Sequence, residues 1–427
     1  MRFLKTGFFL LSLAPAALWA QDPEGVRLRL TYQAEYQPGM VVLPFGGPSG
    51  PVATGIVRQD LDFSDRFKVS EGTARAGEPL NLALWKERGA DWVLTGEMAQ
   101  RGSGLALRLV LHDAVYRQVK ADQTFALPAP GDAGFRMAVH AAADEVVRWV
   151  TGTPGAAASR IAYVAAGRGS KEIYLVDSDG ENVQRVTSDG SIALSPAWSR
   201  DGRSLAYTSY RGGTPALWER NLASGRDRLL SDRAGINITP AYSPDGSVAF
   251  AATFSGNTEV VSLDAAGVNP LTRGRGFDSL SPTFSPDGAR IAFVSNRLGE
   301  PQVYVMARGG EPRLVSEYTY GRAGYSTSPA WSPRGPWIAF HTRAGGSHQI
   351  ALVGADGNGR RLLTNQGTNE DPSWAPDGRH VVFASPNRDG GGLFVLDTVS
   401  GRIRPLVRGR GLGLPDWSPS FGRAAGN

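Results

Sequence analysis

The 427-residue sequence predicts a mainly β protein, a six-bladed β-propeller preceded by a small α/β domain. Beyond residue 158, one motif built from Pro, an aromatic residue, Ser, Pro, Asp and Gly returns at intervals of 42 to 47 residues, a period typical of propeller blades. Ahead of it, strand-like and helical hydrophobic periods alternate, as in a small α/β domain. The 54 Gly and 28 Pro residues indicate many turns between short elements.

Composition excludes several classes of protein. With 41% hydrophobic and 20% charged residues, the chain can form a packed core, so global disorder is excluded. Arg supplies 40 of the 45 basic side chains and is interleaved with 40 acidic residues without a clustered basic face, so we expect no nucleic-acid binding. The chain has no Cys, so its stability must come from core burial without disulfides.

Residues 1–20 predict a secretory signal peptide, because two cations and an apolar run over residues 8–13 are followed by small residues. We expect cleavage after Ala20; Ala16 and Ala17 are alternative sites, and a retained anchor is the alternative interpretation. The apolar run is too short to span a bilayer, and no later stretch reaches about 18 uninterrupted apolar residues. We therefore expect a soluble exported protein without membrane insertion.

Residues 21–152 form the predicted α/β domain. It contains a buried strand over residues 41–45, followed by a helix with Pro51 at its first position. We expect the core face of this helix to contain Val52, Ile56 and Leu61. The pattern of the whole segment favours two or three helices packed on a small mixed sheet.

The rest of this domain supplies one short helix, two strands and a long helix. The short helix spans residues 81–88 and ends at Gly89, which suits a left-handed cap. A strand over residues 91–96 is followed by Leu at every second position from 105 to 111, typical of a half-buried strand. Apolar residues at steps of three and four predict the long helix: Phe135, Val139, Ala142, Val146 and Val150. Residues 153–158, small, uncharged and rich in breakers, form the predicted linker.

The repeat occupies residues 159–427. Its six copies begin at prolines spaced 44, 42, 47, 43 and 43 residues apart: Pro196, Pro240, Pro282, Pro329, Pro372 and Pro415. Each period contains four short strands, enough for one blade. Six copies of the second strand begin at Ile161, whereas the matching first strands begin only at Pro196, so the opening blade lacks its innermost strand. We predict that residues 415–419 pair beside Ile161 and close the ring.

Each repeat has an aromatic residue two positions after its Pro: Trp198, Tyr242, Phe284, Trp331, Trp374 and Trp417. Because every blade has one, we expect packing between blades rather than ligand stacking. The Asp-Gly steps are turn signals, and no twelve-residue loop has the acidic spacing of an EF-hand.

Motifs for catalysis are missing from the sequence. The five His residues have neither zinc-ligand spacing nor an HExxH helix, and His140 is interpreted as a helix-packing residue. No Ser has Gly both two residues before and two residues after it, and there is no P-loop or dinucleotide fingerprint. We therefore expect a protein that is not an enzyme.

The combination of export signal, α/β domain, linker and six repeats resembles the TolB family, the periplasmic component of the Tol-Pal system. The matching segments are Val42-Leu43-Pro44-Phe45, Asp60-Leu61 with Phe67, Trp85 with Gly89-Ala90-Asp91, His140 with Asp144-Glu145-Val146, Thr151-Gly152, and Ser159-Arg160-Ile161-Ala162-Tyr163-Val164. The resemblance implies a noncatalytic, monomeric periplasmic adaptor. Its propeller would bind the peptidoglycan-associated lipoprotein Pal, and its N-terminal region would bind the inner-membrane protein TolA, in support of outer-membrane integrity and cell division.

The repeat also predicts where such a partner would bind. Residues just ahead of each innermost strand should crowd the channel mouth: Ser195, Asn237, Thr239, Asp278, Ser281, Ser328, Glu370 and Asp371. Three of them are acidic, so the rim could attract a basic epitope or a cation. In the N-terminal segment, the alternating Val26, Leu28 and Leu30 are the candidate contacts for a TolA-like partner.

Two alternatives to the adaptor stay open from the sequence. One is a propeller that binds a small molecule or a glycan, and the other is a hydrolase whose site lies in the channel. We expect no cofactor, and the sequence leaves open whether a calcium ion occupies the channel.

Overall fold

The computed structural model describes residues 36–73, 80–254, 256–265, 267–274, 276–317 and 324–422. The predicted signal peptide and the candidate contacts Val26, Leu28 and Leu30 lie outside these ranges. The described residues form a five-stranded mixed sheet with helices and six four-stranded sheets arranged as a propeller, which confirms the predicted fold class. None of the described helices is long and apolar enough to cross a membrane.

Five strands form the N-terminal sheet in the order β2-β1-β3-β4-β5. Their bounds are β1 (Gly39–Val42), β2 (Lys68–Glu71), β3 (Trp92–Arg101), β4 (Gly104–Asp113) and β5 (Gln118–Leu127). β1 runs parallel to both of its neighbours, whereas β3, β4 and β5 are antiparallel. The predicted alternation on β4 is confirmed, because its four leucines are at most 3% exposed.

Three helices cover this sheet: α1 (Gly50–Phe63), α2 (Leu82–Glu87) and α3 (Phe135–Thr151). α1 and α3 pack together against one face, and α2 covers the other. The chain supplies the expected caps, since Asn81 Oδ1 accepts the Leu84 N–H at 3.1 Å and Gly89 has a φ of 89°.

The predicted core face of α1 is wrong at one position. Val52 is 54% exposed, whereas Ala53, Ile56, Val57 and Leu61 are buried. Residues at steps of three and four from Ala53 share one face of a helix, and Val52 lies one position before that stripe. The core of this domain therefore begins at Ala53.

Each propeller blade is a four-stranded antiparallel sheet. The first three propeller strands are β6 (Arg160–Ala166), β7 (Lys171–Asp177) and β8 (Gln184–Arg185). The next two blades comprise β9 (Ala193–Trp198), β10 (Ser204–Ser209), β11 (Ala216–Asn221) and β12 (Asp227–Ser231), then β13 (Asn237–Tyr242), β14 (Val248–Phe254), β15 (Asn257–Asp264) and β16 (Gly267–Pro270).

Three further blades follow along the chain. They comprise β17 (Ser279–Phe284), β18 (Arg290–Ser295), β19 (Gln302–Ala307) and β20 (Arg313–Leu314), then β21 (Ser326–Trp331), β22 (Trp337–Ala344), β23 (Ser347–Gly354) and β24 (Arg361–Leu362), then β25 (Glu370–Trp374), β26 (His380–Ser385), β27 (Gly392–Asp397) and β28 (Ile403–Arg408). A single 3₁₀ turn spans Arg388–Gly390. The last strand is β29 (Leu412–Trp417).

The chain end closes the ring, as the repeat predicts, although the closing strand spans Leu412–Trp417 instead of residues 415–419. β29 pairs antiparallel with β6, with Trp417 opposite Ile161 and Asp416 opposite Ala162. Trp417 Nε1 also donates to Ser159 Oγ at 2.7 Å. The sixth blade therefore consists of β29, β6, β7 and β8, and its inner strand comes from the opposite end of the propeller sequence.

The aromatic residue of each inner strand packs between blades, as predicted. Trp374 Nε1 donates to the carbonyl of Ala330 in the preceding blade at 3.0 Å, and Trp198 Nε1 donates to the carbonyl of Asp416 at 3.1 Å. Five of the six rings are at most 9% exposed. In Trp198 and Trp374, a polar tip bonded across the blade boundary fixes the ring in place.

The α/β domain lies against one end of the propeller. Hydrogen bonds and ion pairs from Arg136, Asp62 and Asp65 all reach the end that carries the turns after the inner strands, which we call the turn face. The opposite end, where the inner strands begin, we call the far face. The channel runs between the two faces.

Candidate functional site

Every inner strand is interrupted at the residue before its Pro. These residues have left-handed backbones, with φ between 49° and 53°: Ser195, Thr239, Ser281, Ser328, Asp371 and Leu414. The register of pairing with the second strand shifts at the same place in all six blades. Pro has no N–H to donate to the ladder, so the strand bulges there and turns the preceding residue toward the channel.

The bulged residues line a channel of about 320 Å³. Four carry hydroxyl groups and one carries a carboxylate. Ser328 Oγ donates to Asp371 Oδ1 at 2.8 Å, and Thr239 Oγ1 accepts the Ser281 N–H at 3.2 Å. Five of the six blades therefore contribute a side-chain oxygen to the channel wall, able to accept a hydrogen bond from a polar group that enters it, and Leu414 is the apolar exception.

Asp416 is a channel residue that sequence reasoning missed. Its Oδ2 accepts the Trp198 N–H at 2.8 Å and its Oδ1 accepts Ser373 Oγ at 3.0 Å. Burial raises the pKa of Asp416 to about 6, against the opposing effect of these hydrogen bonds. Aligning the repeats gives the signal for it, because Asp416 follows its Pro where other copies have Ala, Thr or Ser.

The predicted channel-mouth residues divide into two groups. Five line the channel, although they lie within the inner strands rather than ahead of them: Ser195, Thr239, Ser281, Ser328 and Asp371. The bulge, which the sequence pattern did not reveal, accounts for this position. The three others, Asn237, Asp278 and Glu370, do not line it.

Asn237 is placed wrongly by the prediction, because it is fully buried. Its Nδ2 donates to the carbonyls of Pro215 and Arg233, at 3.1 and 2.8 Å, and its Oδ1 accepts Ser231 Oγ at 2.8 Å. Asp278 likewise ties strands together, since its Oδ1 accepts the Thr258 N–H at 3.0 Å. Both side chains hold the blade structure.

Glu370 belongs to an aromatic and acidic cluster on the far face. Its Oε1 lies 2.5 Å from His348 Nδ1, and His348 stacks on Tyr325 with ring centroids 5.3 Å apart and planes inclined by 11°. His341 stacks on His348 at 5.1 Å and on Tyr325 at 6.1 Å, so the three rings form one cluster. In the sequence, none of these residues belongs to a motif that indicates a site. The pairing of β22 with β23 brings the two imidazoles together.

His341 connects this cluster to the channel. Its Nδ1 accepts the Asp371 N–H at 3.2 Å, and its Nε2 lies 2.6 Å from Thr327 Oγ1. Burial lowers the pKa of His341, and the nearby charge of Asp371 opposes that effect. The channel entrance on the far face thus combines stacked rings with two carboxylates, a surface suited to a partner with both apolar and cationic groups.

Two family models match this chain: the TolB beta propeller domain over residues 147–421 and the TolB amino-terminal domain over residues 27–119. The chain belongs to the TolB family. A crystal structure of TolB from Acinetobacter baumannii covers 92% of this chain and 99% of its own, with a TM-score of 0.78 and 28% identity.

Two curated TolB relatives match part of the chain. The Tol-Pal system protein TolB of Desulfosudis oleivorans is 39% identical over 234 residues, 52% of each chain. A protein TolB homolog of Chlorobium chlorochromatii is 37% identical over 255 residues, 57% of each chain. This TolB-family chain therefore spans about half the length of the curated relatives it matches.

In this TolB-family chain the turn face of the propeller is joined to the α/β domain through buried charges. Asp65 Oδ2 lies 3.1 Å from His380 Nε2, and Asp65 Oδ1 accepts Arg402 at 3.0 Å. Arg402 also donates to Asp62 Oδ2 at 2.7 Å. Asp65 and His380 are both buried, so their interaction is little screened by solvent, whereas Arg402 is partly exposed.

A second buried cluster lies beside α3. His140 Nδ1 is 2.7 Å from Asp60 Oδ2, and its Nε2 faces Asp179 of the propeller at 3.6 Å. Asp177 and Asp179 with His140 have ligand atoms within 4.8 Å of one another, a spacing a metal could use. Arg136 pairs with Asp179, however, and Arg160 Nε donates to Asp177 at 2.9 Å. These guanidinium groups neutralise the carboxylates, so we interpret the cluster as an ion-pair network.

His140 was predicted to be a packing residue, and it is fully buried at the contact between the domains. Burial by itself lowers the pKa of His140, but the charge of Asp60 and its hydrogen bond outweigh burial and raise it to about 9. The imidazole is therefore protonated at neutral pH and bridges Asp60 to Asp179.

The predicted linker is fixed by Asp144 of α3. Asp144 Oδ1 accepts the Ala157 N–H and Oδ2 accepts the Ala158 N–H, both at 2.8 Å. Burial raises the pKa of Asp144 to about 7. Although residues 153–158 are small and rich in breakers, a buried carboxylate holds their end against the α/β domain.

A cavity of about 790 Å³ separates α3 from the turn face. Asp144, Glu145 and Arg148 line it from α3. It shares wall residues with the channel, among them Ser373 and Asp416, so the channel and this interdomain cavity adjoin.

Proposed function

We propose that this chain is a noncatalytic periplasmic adaptor of the Tol-Pal system. Its propeller binds a Pal-like outer-membrane lipoprotein at the far face, and its N-terminal region, including Val26, Leu28 and Leu30, binds a TolA-like inner-membrane protein. In this role it supports outer-membrane integrity and cell division. Membership of the TolB family and the curated Tol-Pal relative support this proposal.

The observation that carries the proposal is the far-face entrance of the channel. Stacked His341 and His348 lie beside Glu370 and Asp371 there, and the α/β domain packs against the other face. The inner strands of all six blades line the channel. Stacked rings on paired strands can bind a protein segment at low entropic cost, because little of the surface must be ordered on binding.

Capture of the organism's own Pal-like lipoprotein by the purified exported chain tests the proposal. Replacing Glu370 by Gln and Asp371 by Asn removes both entrance charges while keeping similar shapes, and we expect at least tenfold weaker capture. The matched control replaces Glu311 by Gln and Asp356 by Asn, which are exposed carboxylates remote from the channel.

The control pair should capture the lipoprotein as the unmodified chain does. Equal capture by both pairs would show that the channel entrance is not the binding site. A screen against chromogenic esters and peptides tests the noncatalytic role. If the chain hydrolyses any of these substrates and a substitution in the channel abolishes the activity, the noncatalytic role is wrong.

A further inference from the structure

Ring closure brings two glycine-rich basic loops together on the far face. One loop joins β6 to β7 and contains Arg168, next to Lys171 at the start of β7; the other joins β28 to β29 and contains Arg410, next to Arg408 at the end of β28. The loops touch, since the Ala166 N–H donates to the carbonyl of Gly411 at 2.9 Å. More than 230 positions separate them in the sequence, so the pairing of β29 with β6 creates this cluster.

Glycine permits this close approach. Gly411 has a φ of 73°, and a Cβ atom at this position would lie 2.9 Å from the Cβ of Ala166. A larger residue would therefore force the second loop away from the first. The four cations consequently occupy one corner of the far face, which we call the basic corner.

All four side chains of the basic corner are exposed: Arg168, Lys171, Arg408 and Arg410. Within the described ranges, no carboxylate forms an ion pair with any of them. Among the described residues, one guanidinium of this group donates a hydrogen bond to a neighbouring loop: Arg408 donates to the backbone carbonyl of Asp389 at 3.1 Å.

Arginines of the next blade behave differently. Arg211 and Arg220 both bind Asp227, at 2.8 and 2.7 Å, and Arg211 also stacks on Trp218. Those cations are used by the fold itself. The charges of the basic corner stabilise no comparable contact, so they are available to an external anion.

The carboxylates nearest in sequence do not neutralise the corner. Glu172 follows Lys171 but is buried, where it accepts Thr187 Oγ1 at 2.5 Å and Arg185 at 2.9 Å. The exposed Asp389 is the one carboxylate on the loop that Arg408 touches. The corner therefore keeps a net positive charge. The expectation that the basic residues form no clustered face is wrong here, because the fold brings together cations that are far apart in the sequence.

We propose that the basic corner binds the phosphate headgroups of an anionic phospholipid surface. None of its four cations lines the channel or the interdomain cavity. A single phosphate ion would be held by a walled site, whereas cations on two adjoining surface loops suit an extended plane of negative charge. The contact is peripheral and electrostatic, and it does not depend on the proposed lipoprotein partner.

An apolar side chain beside the corner fits the same surface. The Lys171 N–H donates to the carbonyl of Ser191 at 2.9 Å, which places Ile192 next to Lys171. Ile192 is 38% exposed. A large apolar group next to cations suits the boundary between headgroups and acyl chains.

Co-sedimentation of the exported full chain with vesicles tests the proposal. We expect binding to vesicles of phosphatidylglycerol and phosphatidylethanolamine, weakening as salt rises, and no binding to phosphatidylcholine vesicles. Replacing Arg168 and Arg410 by Gln should weaken binding about 25-fold, since each cation near an anionic membrane contributes roughly fivefold. The matched control replaces Arg203 and Arg226, exposed arginines on the turn-face side, by Gln.

Each outcome decides the proposal. The proposal is supported if the double variant at Arg168 and Arg410 binds anionic vesicles more weakly while the control variant at Arg203 and Arg226 binds them as the unmodified chain does. It is overturned if anionic vesicles are not bound, if both pairs weaken binding equally, or if inorganic phosphate at constant ionic strength displaces the vesicles. Thermal unfolding confirms that both variants are folded. Lipoprotein capture by the Arg168 and Arg410 variant should remain, which separates this result from failure of the proposed adaptor role.

Discussion

His380 of the propeller and Asp65 of the α/β domain lie 3.1 Å apart, Nε2 to Oδ2, although 315 positions separate them in the sequence. The other nitrogen of His380 faces Asp377 Oδ2 at 2.6 Å. His140 bridges the domains in the opposite sense, from the α/β domain to Asp179. Two buried imidazoles therefore connect carboxylates on both sides of one interface.

The first prediction concerns the pH dependence of this interface. Burial by itself lowers the pKa of His380, but the charge of Asp377 and hydrogen bonds to Asp377 and Asp65 raise it to about 9. Because the native state holds this proton more tightly, its stabilisation is complete below about pH 6.5 and is lost as the pH rises through about 9. The loss is about 3 kcal/mol at most.

Thermal unfolding between pH 6 and pH 10 measures this effect, with the variant His380→Gln for comparison. Asp397 and Arg379 also face the site, since Arg379 Nε donates to Asp397 at 2.7 Å. Arg379 keeps its charge over this range, so the difference between the two proteins reports the imidazole. A His380→Gln variant with the same alkaline loss of Tm as the unmodified chain would contradict the assignment.

The second prediction concerns Asp144. Replacing Asp144 by Ala leaves the buried N–H groups of Ala157 and Ala158 without their acceptors, so we expect a loss of about 2–5 kcal/mol. Asp144→Asn keeps one acceptor and should lose less. Chemical denaturation measures both, and Glu145→Gln, at the next position of the helix on the wall of the interdomain cavity, is the control; equal effects of all three would reject the role of Asp144.

The third prediction concerns ring closure. Truncation after Gly413 removes the last four residues of β29, including Trp417, and exposes the ladder of β6, so we expect Tm to fall by roughly 10 °C or more. Truncation after Gly422 keeps the strand and is the matched control, with an unchanged Tm. A similar melting curve for both truncations would show that β29 does not close the ring.

The fourth prediction concerns the carboxyl of Asp416. Burial raises its pKa to about 6, so ionisation makes the native state less stable as the pH rises from about 4 to 6. Asp416→Asn removes this penalty and can still accept the Trp198 N–H, so we expect a gain of about 1–3 kcal/mol at pH 7. Asp416→Leu is the second variant and should be destabilising, because it leaves the Trp198 N–H and the Ser373 hydroxyl hydrogen without their acceptors. Loss of stability in Asp416→Asn would show that the channel favours the ionised carboxylate.

Much of the candidate site could be predicted from the repeat. Ser195, Thr239, Ser281, Ser328 and Asp371 were found because they precede the repeated Pro, and all five line the channel. Asn237 is also a polar residue shortly before a repeated Pro, but it is buried, since a side chain two positions before the bulged Thr239 points into the blade. Sequence distance to Pro does not reveal the bulge that separates these two environments.

Residues that act in pairs could not be found from the sequence. His341 and His348 stack because they lie on the paired strands β22 and β23. His380 reaches Asp65 because the two domains pack together at the turn face. Their spacing along the chain follows no motif. Single-residue patterns carry no information about which distant elements meet.

The sequence by itself determined the mainly β class, the six repeated blades and their closure by the chain end, because turn chemistry and alternating hydrophobic residues act over a few positions. Tertiary structure alone decided which charges are buried between the domains and which are left free. Arg402 is paired with Asp62 and Asp65, whereas Arg408 and Arg410, a few residues later, point to solvent beside Arg168. Coulombic and hydrogen-bond energies depend on distances in space and on local burial, and the packing of the whole chain sets both.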